Sequence, residues 1–193
     1  MYEFVKGKVA ECSPAHVVVD CNGVGYFLNI SLACYTKIEQ LQEVQLYVHE
    51  NIREDAFVLY GFFDREEREL FKLLISVSGV GANTARMMLS SLSVDELSAA
   101  IATENVNILK GIKGIGLKSA QRIVVELKDK IEKRVFDAKI VSSINNTTRE
   151  EALSALVMLG FVKAASIKVV DKLISEYPDA KVEVIIKKSL SML

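Results

Sequence analysis

The chain is poor in the residues that hold metals or move protons. Its two histidines, His16 and His49, fall in strand-like segments with no partner motif nearby. Cys12, Cys21 and Cys34 are odd in number and lack metal-finger spacing, so they read as free thiols in a reducing compartment. No apolar run approaches the ~18 residues that a membrane span needs. The opening MYEFVKGKVAEC lacks the unbroken apolar stretch of a secretory signal. The expectation is a cytoplasmic protein with no metal and no cofactor. What the chain does have is apolar mass: 50% of its 193 residues are hydrophobic, which excludes wholesale disorder and allows one ordinary domain or a few small ones.

A net charge of −1 gives no sign of a polyanion partner, but its distribution does. Between Lys110 and Arg134 lie eight Lys or Arg, including Lys118 and Arg122, against Glu126, Asp129 and Glu132. That local excess of five positive charges leaves the rest of the chain at −6. A basic stripe in an otherwise acidic protein suits a polyanion met by one face. It also suits a solvated helix of alternating charge, since Glu126 and Lys130 form an i,i+4 pair.

Three territories follow one another, and the expected class is α+β and multidomain. Residues 1–63 read as about five short strands. HVVVDC alternates, Asn22-Gly23 is a hairpin signal, and YFLNIS, VQLYVHENI and AFVLYGF follow. So many strands in so few residues fit a small closed barrel. At Asp64 the period changes to 3.6, with Asp64 and Glu67 in capping-box positions and Leu70, Phe71, Leu74 and Ile75 on one stripe. Ser93 and Glu96 form a second such box. Short helices joined by glycine turns are expected over 64–135, a Ser/Asn/Thr-rich linker over 136–148, and a small amphipathic helical unit over 149–193.

The central territory writes one pattern twice. GVGANTARMML begins at Gly79 and GIGLKSAQRIV at Gly114, thirty-five residues later. Gly81 matches Gly116, Thr84 matches Ser119, and Ala85 matches Ala120. A dinucleotide fingerprint fails because Thr84 and Ser119 stand where its third glycine belongs. A Walker loop fails because Leu117 separates Gly116 from Lys118 and no strand leads in. What remains is helix, glycine turn, helix. The second helix then starts with unsatisfied N–H groups and the positive end of its dipole, which suits a phosphate oxygen. Two copies would grip one backbone at two points, with Lys118 and Arg122 beside the second. The plainer alternative is that the glycines only let helices pack.

GVGANTA and GIGLKSA are similar to paired helix–hairpin–helix motifs of DNA-binding proteins. Together with GVGY at 23–26, REDAFVLYGF at 53–62 and ALSALVMLGF at 152–161, they make nearly the whole chain resemble the RuvA family of Holliday-junction branch-migration subunits. The resemblance implies an N-terminal OB-fold barrel, a tandem helix–hairpin–helix domain and a mobile C-terminal three-helix, UBA-like domain. It implies a homotetramer that holds four-way junction DNA open for the hexameric ATPase RuvB, with the resolvase RuvC as a further partner. The setting it implies is DNA recombination and repair and the SOS response to DNA damage. DNA contacts are expected at Gly79, Gly81, Asn83, Thr84 and Arg86 in the first hairpin, and at Gly114, Gly116, Lys118, Ser119 and Arg122 in the second. The chain departs from the family at Asn83, where lysine is frequent. Asn donates to phosphate only as a neutral group, and Arg86 is expected to compensate from the next turn. It departs again at VKAA after Phe161, where an acidic residue commonly precedes the alanine.

Glu54 and Asp55, between the last two strands, admit three readings. They form a plain polar turn, they ligate a metal for phosphodiester hydrolysis, or, as the resemblance implies, they form an acidic pin that repels phosphates at the crossover. In the C-terminal unit Leu153, Leu156, Leu159 and Phe161 offer more apolar surface than about forty-five residues easily hide. Leu156, Leu159 and Phe161 are therefore expected to contact the motor. The leading reading is a non-catalytic, structure-specific DNA-binding subunit. A magnesium-dependent nuclease and a pure protein adaptor are the alternatives.

Overall fold

A computed structural model describes residues 2–140, 144–177 and 180–193. The chain divides into two compact units, Met1–Glu132 and Lys133–Leu193.

The first unit opens with strands β1 (Phe4–Cys12), β2 (His16–Cys21) and β3 (Val24–Ile30). Val17 and Val19 point into the barrel and are fully buried, while Val18 and Asp20 face outward, as the alternation requires. Asn22 and Gly23 both take positive φ (53° and 91°), the left-handed pair that a two-residue hairpin needs between β2 and β3. Helix α1 (Leu32–Ile38) follows, then β4 (Glu43–Ile52) and β5 (Phe57–Phe62). β3 pairs with β5 in parallel and β1 closes on β4, so the strand order β1-β2-β3-β5-β4 forms a closed barrel with OB-fold topology. Helix α1 lies inside the stretch expected to be all strand. Its seven residues are too few to show a period, and Ser31 caps it by accepting from Cys34 N.

Helices α2 (Arg65–Ile75), α3 (Ala82–Ser91), α4 (Val94–Ala102), α5 (Val106–Lys110) and α6 (Leu117–Ile140) complete the tandem hairpins. One core runs from Tyr60 and Phe62 of β5 through Leu70, Phe71 and Leu74 to Ile123 and Leu127. The box at Ser93 and Glu96 forms in both directions. The box expected at Asp64 and Glu67 does not. Asp64 makes no cap bond and pairs instead with Lys37 of α1, and Glu67 accepts from the Ser31 hydroxyl. Both carboxylates have a tertiary partner on the barrel that outcompetes the local one. Arg68, also buried, donates to the Glu3 carbonyl (3.0 Å) and carboxylate (2.8 Å) of the barrel's first strand region.

The stretch 136–148 keeps more helix than its composition suggests. α6 continues through Ile140 and α7 (Ile144–Met158) begins four residues later, with 141–143 outside the described residues. With α8 (Lys163–Glu176) and α9 (Val182–Leu190), α7 forms the second unit around Ala152, Leu153, Leu156, Val170, Leu173 and Ile185.

Candidate nucleic-acid interface

The two glycine turns are built alike, bond for bond. In the first, Val80 N donates to Val77 O (3.0 Å) and Ala85 N to Gly81 O (2.9 Å). In the second, Ile115 N donates to Ile112 O (3.0 Å) and Ala120 N to Gly116 O (2.9 Å). Val77, Val80, Ile112 and Ile115 turn inward and are buried, anchoring each loop to the core. Gly79 and Gly114 hold φ at 90° and 92°, where any L side chain is strained.

Gly81 and Gly116 are different. Gly81 has an ordinary φ of −81°, and a Cβ added at either position would meet no atom within 4 Å. Packing therefore does not demand glycine at these two places, whereas the bend itself demands it at Gly79 and Gly114. What the two glycines leave is uncovered backbone at the first turns of α3 and α6. Without a side chain neither can cap the amides behind it, and α3 has no side-chain cap bond.

Around these turns the side chains are unequal. At the second, Lys118 is exposed and Ser119 half-buried beside it. Arg122, one turn further along α6 and 53% exposed, donates through Nη1 to the Ser78 carbonyl (3.1 Å), with Glu126 3.9 Å from its Nε. At the first, Asn83 is exposed, Thr84 is half-buried, and the Tyr60 hydroxyl of β5 donates to Asn83 Oδ1 (3.2 Å). Arg86, expected to compensate from the next turn, is engaged elsewhere. Its guanidinium turns back to the barrel and donates through Nη1 to the carbonyls of Ala15 (2.8 Å) and Ile30 (3.4 Å). Two carbonyls at the end of the β2–β3 ladder hold it away from the turn's open side.

Glu54 and Asp55 sit at the exposed tip of the β4–β5 hairpin, closed by Arg53 N donating to Ala56 O (2.8 Å). Among the described residues no group of three or more His, Cys, Asp or Glu is placed to hold a metal ion. The flanking pair Ile52 and Phe57 face each other across the two strands and are both exposed.

In the second unit the expected trio separates. Leu156 is wholly buried, a core residue that cannot meet a partner, and Phe161 is half-buried against the same core. Only Leu159 is freely exposed, at 60%. The apolar surface lies instead on Met158 (86% exposed), Val162 (71%) and Val157, around Gly160 with its φ of 95°. Excess apolar surface in a small unit named Leu156 without saying which residues the core would take. The signal missed was the run of apolar residues continuing to the helix end, where one face cannot hold them all.

Comparison with known proteins agrees with this architecture. Residues 1–61 match the model of the RuvA N-terminal domain, 71–129 the SAM-like helix-hairpin-helix tandem, and 147–193 the RuvA C-terminal domain. A protein of Bacteroides fragilis (strain YCH46) named Holliday junction branch migration complex subunit RuvA is 54% identical over 201 residues, covering 100% of both chains. Proteins of the same name from Flavobacterium psychrophilum and Christiangramia forsetii are 49% and 48% identical, again over 100% of each chain. The chain belongs to the RuvA family.

Proposed function

We propose that this RuvA-family chain is the DNA-binding subunit of a branch-migration complex, acting on Holliday junctions as its named relatives do. It binds and shapes the four-way junction without cutting it. The observation that carries the reading is the pair of identically bonded turns whose second glycines have open space where a Cβ would stand. A phosphate can approach the helix N-termini there, and Lys118 adds charge beside one of them. Such contacts read backbone geometry and carry no base code.

The other assignments build on this. Four copies around a junction would bring four Glu54–Asp55 tips to the crossover, where carboxylates repel phosphates and keep the strands apart. The exposed, two-carboxylate turn supports this role over a metal site, which needs further ligands. The apolar surface around Gly160 would engage the RuvB-type ATPase, which supplies the energy in recombination and repair in the cytoplasm.

A gel-shift comparison of a four-way junction with a linear duplex of equal length tests the reading. Preference for the junction, with no strand cuts in magnesium, is expected. Equal binding of the two DNAs, or cleavage, refutes it.

A further inference from the structure

Three successive residues at the end of β3 and the start of α1 are each hydrogen-bonded by a different side chain of the first hairpin. The Ile30 carbonyl accepts from Arg86 of α3. The Ser31 hydroxyl donates to Glu67 of α2, and Ser31 is itself buried. Leu32 N donates to Ser90 Oγ of α3 (3.0 Å), while that same hydroxyl donates to the Arg86 carbonyl (2.8 Å). Arg86 also reaches Ala15 O, the atom that accepts from Ile30 N, and so closes the end of the β2–β3 ladder. Both helices of the hairpin thus hold one bend of the barrel, through partners 36 to 71 residues away in sequence.

We infer that Arg86, with Ser90 and Glu67, is a positioning set. It fixes the first hairpin against the barrel, and Arg86 contributes to the choice of DNA shape through this joint and not by touching phosphate. The inference rests on the proposed reading, in which the hairpins hold the DNA arms and the barrel's acidic tip meets the crossover. A linear duplex needs only the hairpins. A junction must engage hairpins and tip together, so it alone senses the angle between them. The guanidinium suits this role by geometry: one nitrogen reaches both the Ala15 carbonyl, just before β2, and the Ile30 carbonyl at the end of β3.

The test uses the full chain, with Arg86→Met and Ser90→Ala each titrated against a four-way junction and a linear duplex over a salt series. Each variant is expected to weaken junction binding about threefold to tenfold, the size of one or two lost hydrogen bonds. Duplex affinity and its salt slope should stay as in the wild type. Three results overturn the inference. One is a duplex slope flattened by about 0.9 in Arg86→Met, which would make Arg86 a phosphate contact. Another is an unchanged junction-to-duplex ratio in folded variants. The third is a parallel loss on both DNAs with a lowered melting temperature, the mark of a merely structural role. If Arg86→Met does not fold, Ser90→Ala decides, since it removes one hydroxyl and no charge. Failure of the underlying reading shows separately, as a wild-type chain without junction preference.

Discussion

Arg122 donates through Nη1 to the carbonyl of Ser78, the residue just before Gly79, at 3.1 Å. The helix that opens at the second glycine turn therefore holds the first turn in place. The tie runs one way. Thirty-five residues before Arg122 stands Met87, which has no donor to return the bond to Lys113, the counterpart of Ser78. On the proposed reading Arg122 has two jobs, charge beside the DNA and spacing between the hairpins, and Arg122→Lys separates them. Lysine keeps the charge but loses the fork. The slope of log affinity against log salt should stay as in the wild type while affinity falls several-fold. Equal affinity in Arg122→Lys would show that the spacing needs no tie.

On the proposed reading exposed Lys118 supplies charge alone. Lys118→Ala should weaken binding to any DNA sequence to the same degree, and flatten the salt slope by about 0.9 per subunit. Asn83→Lys should steepen the slope, because the first turn then gains a charge where the neutral Asn83 now accepts from the Tyr60 hydroxyl. Salt titrations that leave both slopes at the wild-type value would make the turns packing devices.

At the β4–β5 tip, the double variant Glu54→Gln and Asp55→Asn should leave the fold unchanged, since both side chains are exposed. It should raise affinity for linear duplex relative to the junction, because repulsion at the crossover is gone. Competition binding between the two DNAs measures the ratio, and an unmoved ratio removes the acidic tip from the account.

Leu156 and Met158 should behave oppositely. Leu156→Ala opens a cavity in a small core and should cost about 2–5 kcal/mol, enough to melt the second unit. Met158→Ser, at an exposed position, should leave the melting curve alone and lower stimulation of the ATPase motor. Calorimetry and an ATPase assay on the same preparations distinguish them. A Met158→Ser chain with full stimulation would move the motor contact elsewhere.

The buried Glu67 makes stability depend on pH. Burial pushes its carboxyl above the ordinary 4.5, against the hydrogen bond from Ser31 and the nearby Lys37 charge. The folded state therefore holds its proton more tightly than the unfolded chain does. Its cost to stability is absent below about pH 4.5, grows as pH rises toward the folded value, and is constant above it. Glu67→Gln should be more stable than wild type at neutral pH, with the gap closing as pH falls toward 4.5. Thermal melts across pH 4 to 8 check this, and a constant gap would assign the effect to packing.

The sequence by itself determined whatever depends on neighbours along the chain. Alternation put Val17 and Val19 inside the barrel, Asn22-Gly23 made its hairpin, and Ser93 with Glu96 capped a helix, because each requires only residues a few positions apart. The doubled glycine pattern marked both turns for the same reason. Tertiary structure alone decided where the ambiguous side chains went. Arg86 lies beside the buried Ala85, Met88 and Leu89, and no local rule says whether it turns to solvent or to the barrel. The carbonyls of Ala15 and Ile30, 71 and 56 residues away, settle it. Asp64 and Glu67 had the spacing of a cap, yet Lys37 and Ser31 drew them off. Leu156 and Leu159 were both expected at the partner surface, and only the packing of α8 and α9 buried one and left the other out. Periodicity ranks positions on one helix, whereas burial and hydrogen bonding are set by what the rest of the chain brings alongside.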